Sequence, residues 1–105
     1  MLTEKDYCDY ETCVALRELG FNDVTHYFFN KDGVRTPYIP LYEAQKFLRE
    51  EKGIIVYPQY LPNCQTWMCM VYEEKKMLMH AIGRGCYNEV LNEGIMETVK
   101  ILKER

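Results

Sequence analysis

Residues 66–82 read Thr-Trp-Met-Cys-Met-Val-Tyr-Glu-Glu-Lys-Lys-Met-Leu-Met-His-Ala-Ile. Two β-forming runs, 66–73 and 77–82, flank the polar tetrapeptide Glu73-Glu74-Lys75-Lys76, which is a hairpin signature. With a loop of two or four residues, Tyr72 pairs with Met77, Val71 with Leu78 and Met70 with Met79. Alternation then gives one face to Trp67, Cys69, Val71, Leu78, His80 and Ile82. The other face takes Met68, Met70, Tyr72, Met77, Met79 and Ala81. Both faces are apolar, unlike those of a sheet with one side in water.

Upstream, residues 54–60 form a third strand. Pro58 cannot donate to a ladder, so this strand belongs at an edge or carries a bulge. Downstream, Gly83-Arg84-Gly85 breaks the sheet. Val90, Leu91, Gly94, Ile95, Thr98, Val99 and Leu102 then recur at helical steps. Glu89 and Glu93 lie early in that helix and Lys100, Lys103 and Arg105 late, which suits its dipole. Residues 41–52 read as a second amphipathic helix, with Leu41, Ala44, Phe47, Leu48 and Tyr42 inward and Gly53 as its stop.

The first forty residues extend this frame. Apolar side chains at Tyr10, Cys13, Val14, Leu16 and Leu19 predict a helix ending at Gly20. Thr3 with Asp6 resembles a capping box for it, and Asp9 competes as N-cap. Residues 25–29 read as a short strand and Asn30-Lys31-Asp32-Gly33 as a turn. Residues 36–39 form a returning strand that Pro37 and Pro40 confine to an edge. The expected fold class is therefore α+β: an N-terminal helix and short edge hairpin, followed by helix–three antiparallel strands–helix.

The 105 residues fit one domain, and 48% hydrophobic with 28% charged residues is ordinary for a globular chain. The net charge of −3 gives no general attraction to phosphate backbones or anionic lipid. Residues 1–6 lack a signal-peptide pattern, and no apolar run is long enough to span a bilayer. Five cysteines, an odd number, fit reduced thiols in a cytoplasm better than a secreted disulfide framework.

Three segments carry a resemblance. Residues 13–21, Cys-Val-Ala-Leu-Arg-Glu-Leu-Gly-Phe, resemble the opening helix of an uncharacterised family of short phage and mobile-element proteins from gut anaerobes. Thr36-Pro37 with residues 41–50 is similar to that family's second helix, Phe47 standing where it has Trp. Residues 86–95 are similar to its closing helix, with Cys86 in place of a capping Thr or Ser. The resemblance implies an origin in a phage or mobile element, and it implies no reaction, cofactor or catalytic residue.

Candidate chemistry is sparse. His26 and His80 are 54 positions apart, and neither Cys8/Cys13 nor Cys64/Cys69 has the two-residue gap of a zinc knuckle. Five-residue spacing is expected to set Cys8 and Cys13 on different helix faces, so no metal or cofactor is expected. Cys86, capping the last helix, sits where the dipole stabilises negative charge, with Arg84 to hold an anion and His80 as a remote base. The plainer reading is a cap in which Cys stands for Thr or Ser, so no catalytic residue is assigned.

Helix–three strands–helix is also the order of double-stranded-RNA-binding domains, which would make a nucleic-acid-binding accessory protein the alternative. The last helix opens Tyr87-Asn88-Glu89, which repels phosphate, so nucleic acid is the weaker expectation. A thiol-dependent enzyme comes third. Two helices can cover one face of three strands, and the other face must meet residues 1–40, a second copy or another partner. The leading expectation is a small interaction module, a homodimer or partner binder, using Met68, Met70, Tyr72, Met77 and Met79.

Overall fold

The computed structural model describes residues 6–22, 28–31, 34–74, 76–81 and 85–105, with the backbone alone at 28–31, 34–37 and 79–81. Its elements are α1 (Tyr10–Glu18), β1 (Phe28–Lys31), β2 (Val34–Pro37), α2 (Leu41–Glu51), β3 (Ile54–Leu61), β4 (Thr66–Glu73), β5 (Lys76–Ala81) and α3 (Tyr87–Lys103). The class is α+β, as the periodicities indicate. Strands β3, β4 and β5 form one antiparallel sheet in that order, and β1 and β2 pair as a separate two-stranded sheet.

Asp9 caps α1, its carboxylate accepting the Thr12 N–H at 3.0 Å. The Thr3 half of the alternative capping box lies outside the described residues, and Asp6 instead accepts from Asn88 Nδ2 at 2.7 Å. At the other end Gly20 has φ 111°, and Phe21 N–H and Gly20 N–H bond back to Leu16 and Arg17 carbonyls at 3.0 and 3.1 Å. That is a Schellman stop, with buried Phe21 and Leu16 as its apolar pair.

The hairpin differs from expectation. Strand β1 runs on through Asn30 and Lys31, and β2 opens at Val34 opposite Lys31, so both lie earlier or later than the turn residues suggested. Residues 25–27 and 32–33 of that reading lie outside the described residues. Pro37 ends β2, as a residue without an N–H should. Ile39 is buried in the core instead of belonging to a strand, and its carbonyl accepts Cys8 N–H at 2.8 Å.

Helix α2 starts after Pro40 and ends at Lys52, with Gly53 at φ 68°. Leu41, Ala44 and Leu48 are buried. Tyr42 is not: it is 54% exposed, because the inward stripe of this helix runs through positions 41, 44 and 48 and leaves 42 a turn edge away. Gln45 Nε2 donates to Val56 carbonyl at 2.6 Å, occupying an outward backbone group of β3. Pro58, two residues on, shares that outward edge and has no N–H to offer. Strand β3 is thus the edge that its proline implied.

Helix α3 lies across the sheet. Val90, Leu91, Ile95 and Val99 join Ile54, Val56, Cys69 and Val71 in one core. Gly94 sits at the closest approach, where a Cβ would overlap Cys69 Sγ and press on Val56 Cγ1 at 3.1 Å. The buried Thr98 hydroxyl donates to the Gly94 carbonyl at 2.8 Å, so no polar group is stranded there. Arg105 closes the far end with two bonds to Glu73 at 2.7 and 2.8 Å, which hold the Glu73 carboxyl below its ordinary range.

Alanine at 94 would gain helix propensity of about 1 kcal/mol. The overlap with Cys69 should outweigh it, giving a net loss of about 1–3 kcal/mol. Urea unfolding of Gly94→Ala should show that loss, and adding Cys69→Ala should recover part of it. Additive losses in the double variant would mean that the two residues do not meet.

Candidate interaction surface and thiol pair

The sheet has two unlike faces. In β3, Ile54, Val56 and Pro58 are buried while Ile55 is 43% exposed and Gln59 is exposed. The register places Ile55 opposite Tyr72, Tyr57 opposite Met70, and Gln59 opposite Met68. These residues and Met77 make the outer face. Tyr57 and Tyr72 stack with centroids 6.0 Å apart and rings 10° from parallel. Partial burial and then the Tyr72 hydroxyl push the Tyr57 phenol above its ordinary range. Met77 is 44% exposed and Met70 only 9%.

The expected methionine face is corrected in its second strand. Tyr72 does pair with Met77, but the ladder then shifts and Val71 pairs with Met79, not Leu78. A β-bulge inserts Leu78 as the extra residue, and Leu78 packs against the core. Past the bulge Met70 is opposite His80 and Cys69 opposite Ala81. Met79 and Ala81 therefore take register positions with buried Val71 and Cys69. Met68, Met70, Tyr72 and Met77 keep their face, Met79 leaves it, and Ile55 and Tyr57 of β3 enlarge it. Met79 had been expected across from Met70 because strict alternation has no room for an inserted residue.

At the far end of the sheet, Tyr60 and Trp67 meet edge to face at 5.2 Å, and Trp67 meets Tyr87 of α3 the same way at 5.2 Å. Tyr60 and Tyr87 are 45% and 42% exposed. Sequence reading missed this cluster because its members come from two strands and a helix start. The one local signal was the inward parity shared by Tyr60 and Trp67.

The cysteines divide into three environments. Cys64 and Cys86 are exposed. Cys86 occupies the N-cap of α3 with no side-chain cap bond. Glu89 folds its carboxylate into the space a Cβ on Gly85 would need, in the first turn of α3. Cys69 is buried under α3, and burial first, then Glu93, push its thiol up to about 12.

Cys8 and Cys13 are 1% and 0% exposed, and they touch. The expectation that they lie on different helix faces fails because Cys8 precedes the helix. With Asp9 as N-cap, Cys8 is N′ and Cys13 is N4, the two positions of a hydrophobic staple. The Cys13 thiol donates to the Cys8 carbonyl at 3.6 Å and accepts from Ile39 N–H at 3.4 Å. The Cys8 thiol hydrogen-bonds to Cys13, which pushes Cys8 well up and Cys13 below its ordinary value.

Among the described residues no group of three or more His, Cys, Asp or Glu could hold a metal ion. Among them, too, no helix is long and apolar enough to cross a membrane. Compared with known proteins, the chain matches no family model, no curated protein and no solved structure.

The Cys69 thiol has a definite pH consequence. In the folded chain it stays protonated to about 12, against an ordinary value of 9.0. The folded state then binds more protons than the unfolded one above the ordinary value, so stability falls as pH rises. Its contribution should be intact below pH 9.0 and fade toward about 12. Denaturant midpoints of wild type and Cys69→Ala across that window should converge as pH increases. Parallel curves would show the thiol titrating normally.

Proposed function

We propose that this chain is a small protein-interaction module that associates with a second copy of itself through the outer face of its sheet. The observation that carries the reading is one contiguous patch: Ile55 and Tyr57 of β3, Met68, Met70 and Tyr72 of β4, and Met77 of β5. The helices gather over the opposite face, where the core lies. Methionine and tyrosine suit an interface because they bury large areas and adapt their shape.

Charge favours a second copy as the occupant. The described side chains of the patch carry no carboxylate or ammonium, so two copies facing each other meet no like-charge penalty from them, and His80 takes the register position opposite Met70. A two-fold contact uses the same patch twice, and two stacked sheets pack about 10 Å apart through such side chains. The cytoplasm is the compartment that suits five cysteines, and the resemblance of residues 13–21, 36–37, 41–50 and 86–95 supports a phage or mobile-element origin.

Size-exclusion chromatography with light scattering over a dilution series tests the reading. The wild type should run as a dimer that dissociates on dilution. Ile55→Lys/Met77→Lys, at two positions already more than 40% exposed, should be a folded monomer by circular dichroism. A wild type that is monomeric at every concentration removes the self-association reading. Binding to nucleic acid with a steep salt dependence would replace it with the alternative.

A further inference from the structure

We propose that Cys8 and Cys13 are a redox site: a peroxide oxidises them to a reversible intramolecular disulfide that closes the N-terminal staple of α1 covalently. A staple normally joins two aliphatic or aromatic side chains. Here both positions hold thiols, already in contact and buried against Ile39. Cysteine is the one residue type that can convert such a contact into a bond.

The surroundings differentiate the two sulfurs. Cys13 Sγ donates its own proton to the Cys8 carbonyl at 3.6 Å; the Cys8 thiol and then the Ile39 N–H at 3.4 Å ease the loss of that proton, outweighing burial and Asp9, which oppose it. Cys8 keeps its proton. Cys69 is the internal contrast, since it is equally buried but has no thiol beside it, and its proton is held to about 12. Thiolate character is what selects a cysteine for oxidation.

The chemistry balances with one peroxide. The Cys13 thiolate attacks a peroxide oxygen, the O–O bond breaks, and hydroxide leaves, giving a sulfenic acid at Cys13. The Cys8 sulfur then attacks the Cys13 sulfur. The S–S bond forms, the S–O bond breaks, and the departing oxygen takes the Cys8 proton as water. Two thiols lose one electron each, and the peroxide gains two. Exchange with a dithiol reductant reverses the change.

Access comes through the segment that covers the pair. Residues 6–8 are held by the Tyr7–Pro40 bridge, the Tyr7–Tyr38 ring contact, the Cys8–Ile39 bond and the Asp6–Asn88 bond, among other contacts of one short segment. Opening of such a short segment exposes the pair without global unfolding. Oxidation would end the Cys13 bond to the Cys8 carbonyl and alter the acceptor of Ile39 N–H. The redox state is thereby read where the segment, α1 and the approach to α2 meet.

The test uses a Cys64→Ser/Cys86→Ser variant, whose substitutions fall at exposed positions. It is treated with hydrogen peroxide, denatured, alkylated and digested with trypsin. Cys8 and Cys13 lie in one fragment, residues 6–17. The expected fragment carries no alkyl group, is two hydrogens lighter, and regains both alkylation sites after dithiothreitol. Adding Cys13→Ala should leave Cys8 alkylated. A fragment that stays fully alkylated, or that carries sulfinic acids without a disulfide, overturns the proposal.

Discussion

Much of the structure depends on how closely α3 can approach the sheet at Gly94. A glycine in the middle of a 17-residue helix weakens that helix, and it is useful only where a side chain would obstruct. The obstruction is specific, because Cys69 and Val56 fill the space a Cβ would need. With the helix backbone lying on β3 and β4, Val90, Ile95 and Val99 reach past the contact on both sides and bury Ile54, Val56 and Val71. Thr98 completes the arrangement by bonding to the Gly94 carbonyl within the same helix.

That close crossing uses the inner face fully and explains why the outer face differs. Helices α2 and α3 pack on the inner side of the sheet, and α1 packs on α3. Phe21 at the end of α1 meets Phe47 of α2 at 5.5 Å, so the N-terminal helix is recruited into the helical layer. The intramolecular cover that residues 1–40 might have given the methionine face is directed elsewhere for α1. Among the described elements, what distinguishes the two faces is that α2 and α3 both pack on the inner one, with α1 joined to that helical layer.

Helix periodicity made the three helices readable, and their ends followed from Asp9, Gly20, Pro40 and Gly53, each acting through backbone chemistry local to it. Strand parity made β3 and β4 readable as well, including the edge position enforced by Pro58. Two of the misreadings share one cause: a single inserted or displaced residue that local pattern does not mark. Leu78 bulges and changes the register position of Met79. Cys8 lies two residues before α1, ahead of its N-cap Asp9, so helix geometry was the wrong rule for its distance from Cys13. Tyr42 looked inward because it is apolar, although the stripe through Leu41, Ala44 and Leu48 excludes it. The Tyr60–Trp67–Tyr87 cluster required knowing which end of α3 meets the β3–β4 hairpin.

Edge and face are competing routes by which a small sheet can associate, and they are not equally open here. At β3 the Val56 carbonyl is occupied by Gln45 and Pro58 withholds a donor, so a strand added there would meet a broken ladder. At β5 the bulge interrupts the regular spacing that a partner strand would need to follow. Both edges thus carry devices that discourage pairing. On the outer face the described side chains of Ile55, Tyr57, Met68, Tyr72 and Met77 carry no full charge, while His80 takes the register position opposite Met70. With both edges guarded in this way, the self-association proposed above would run through side chains on a face and not through backbone hydrogen bonds at an edge.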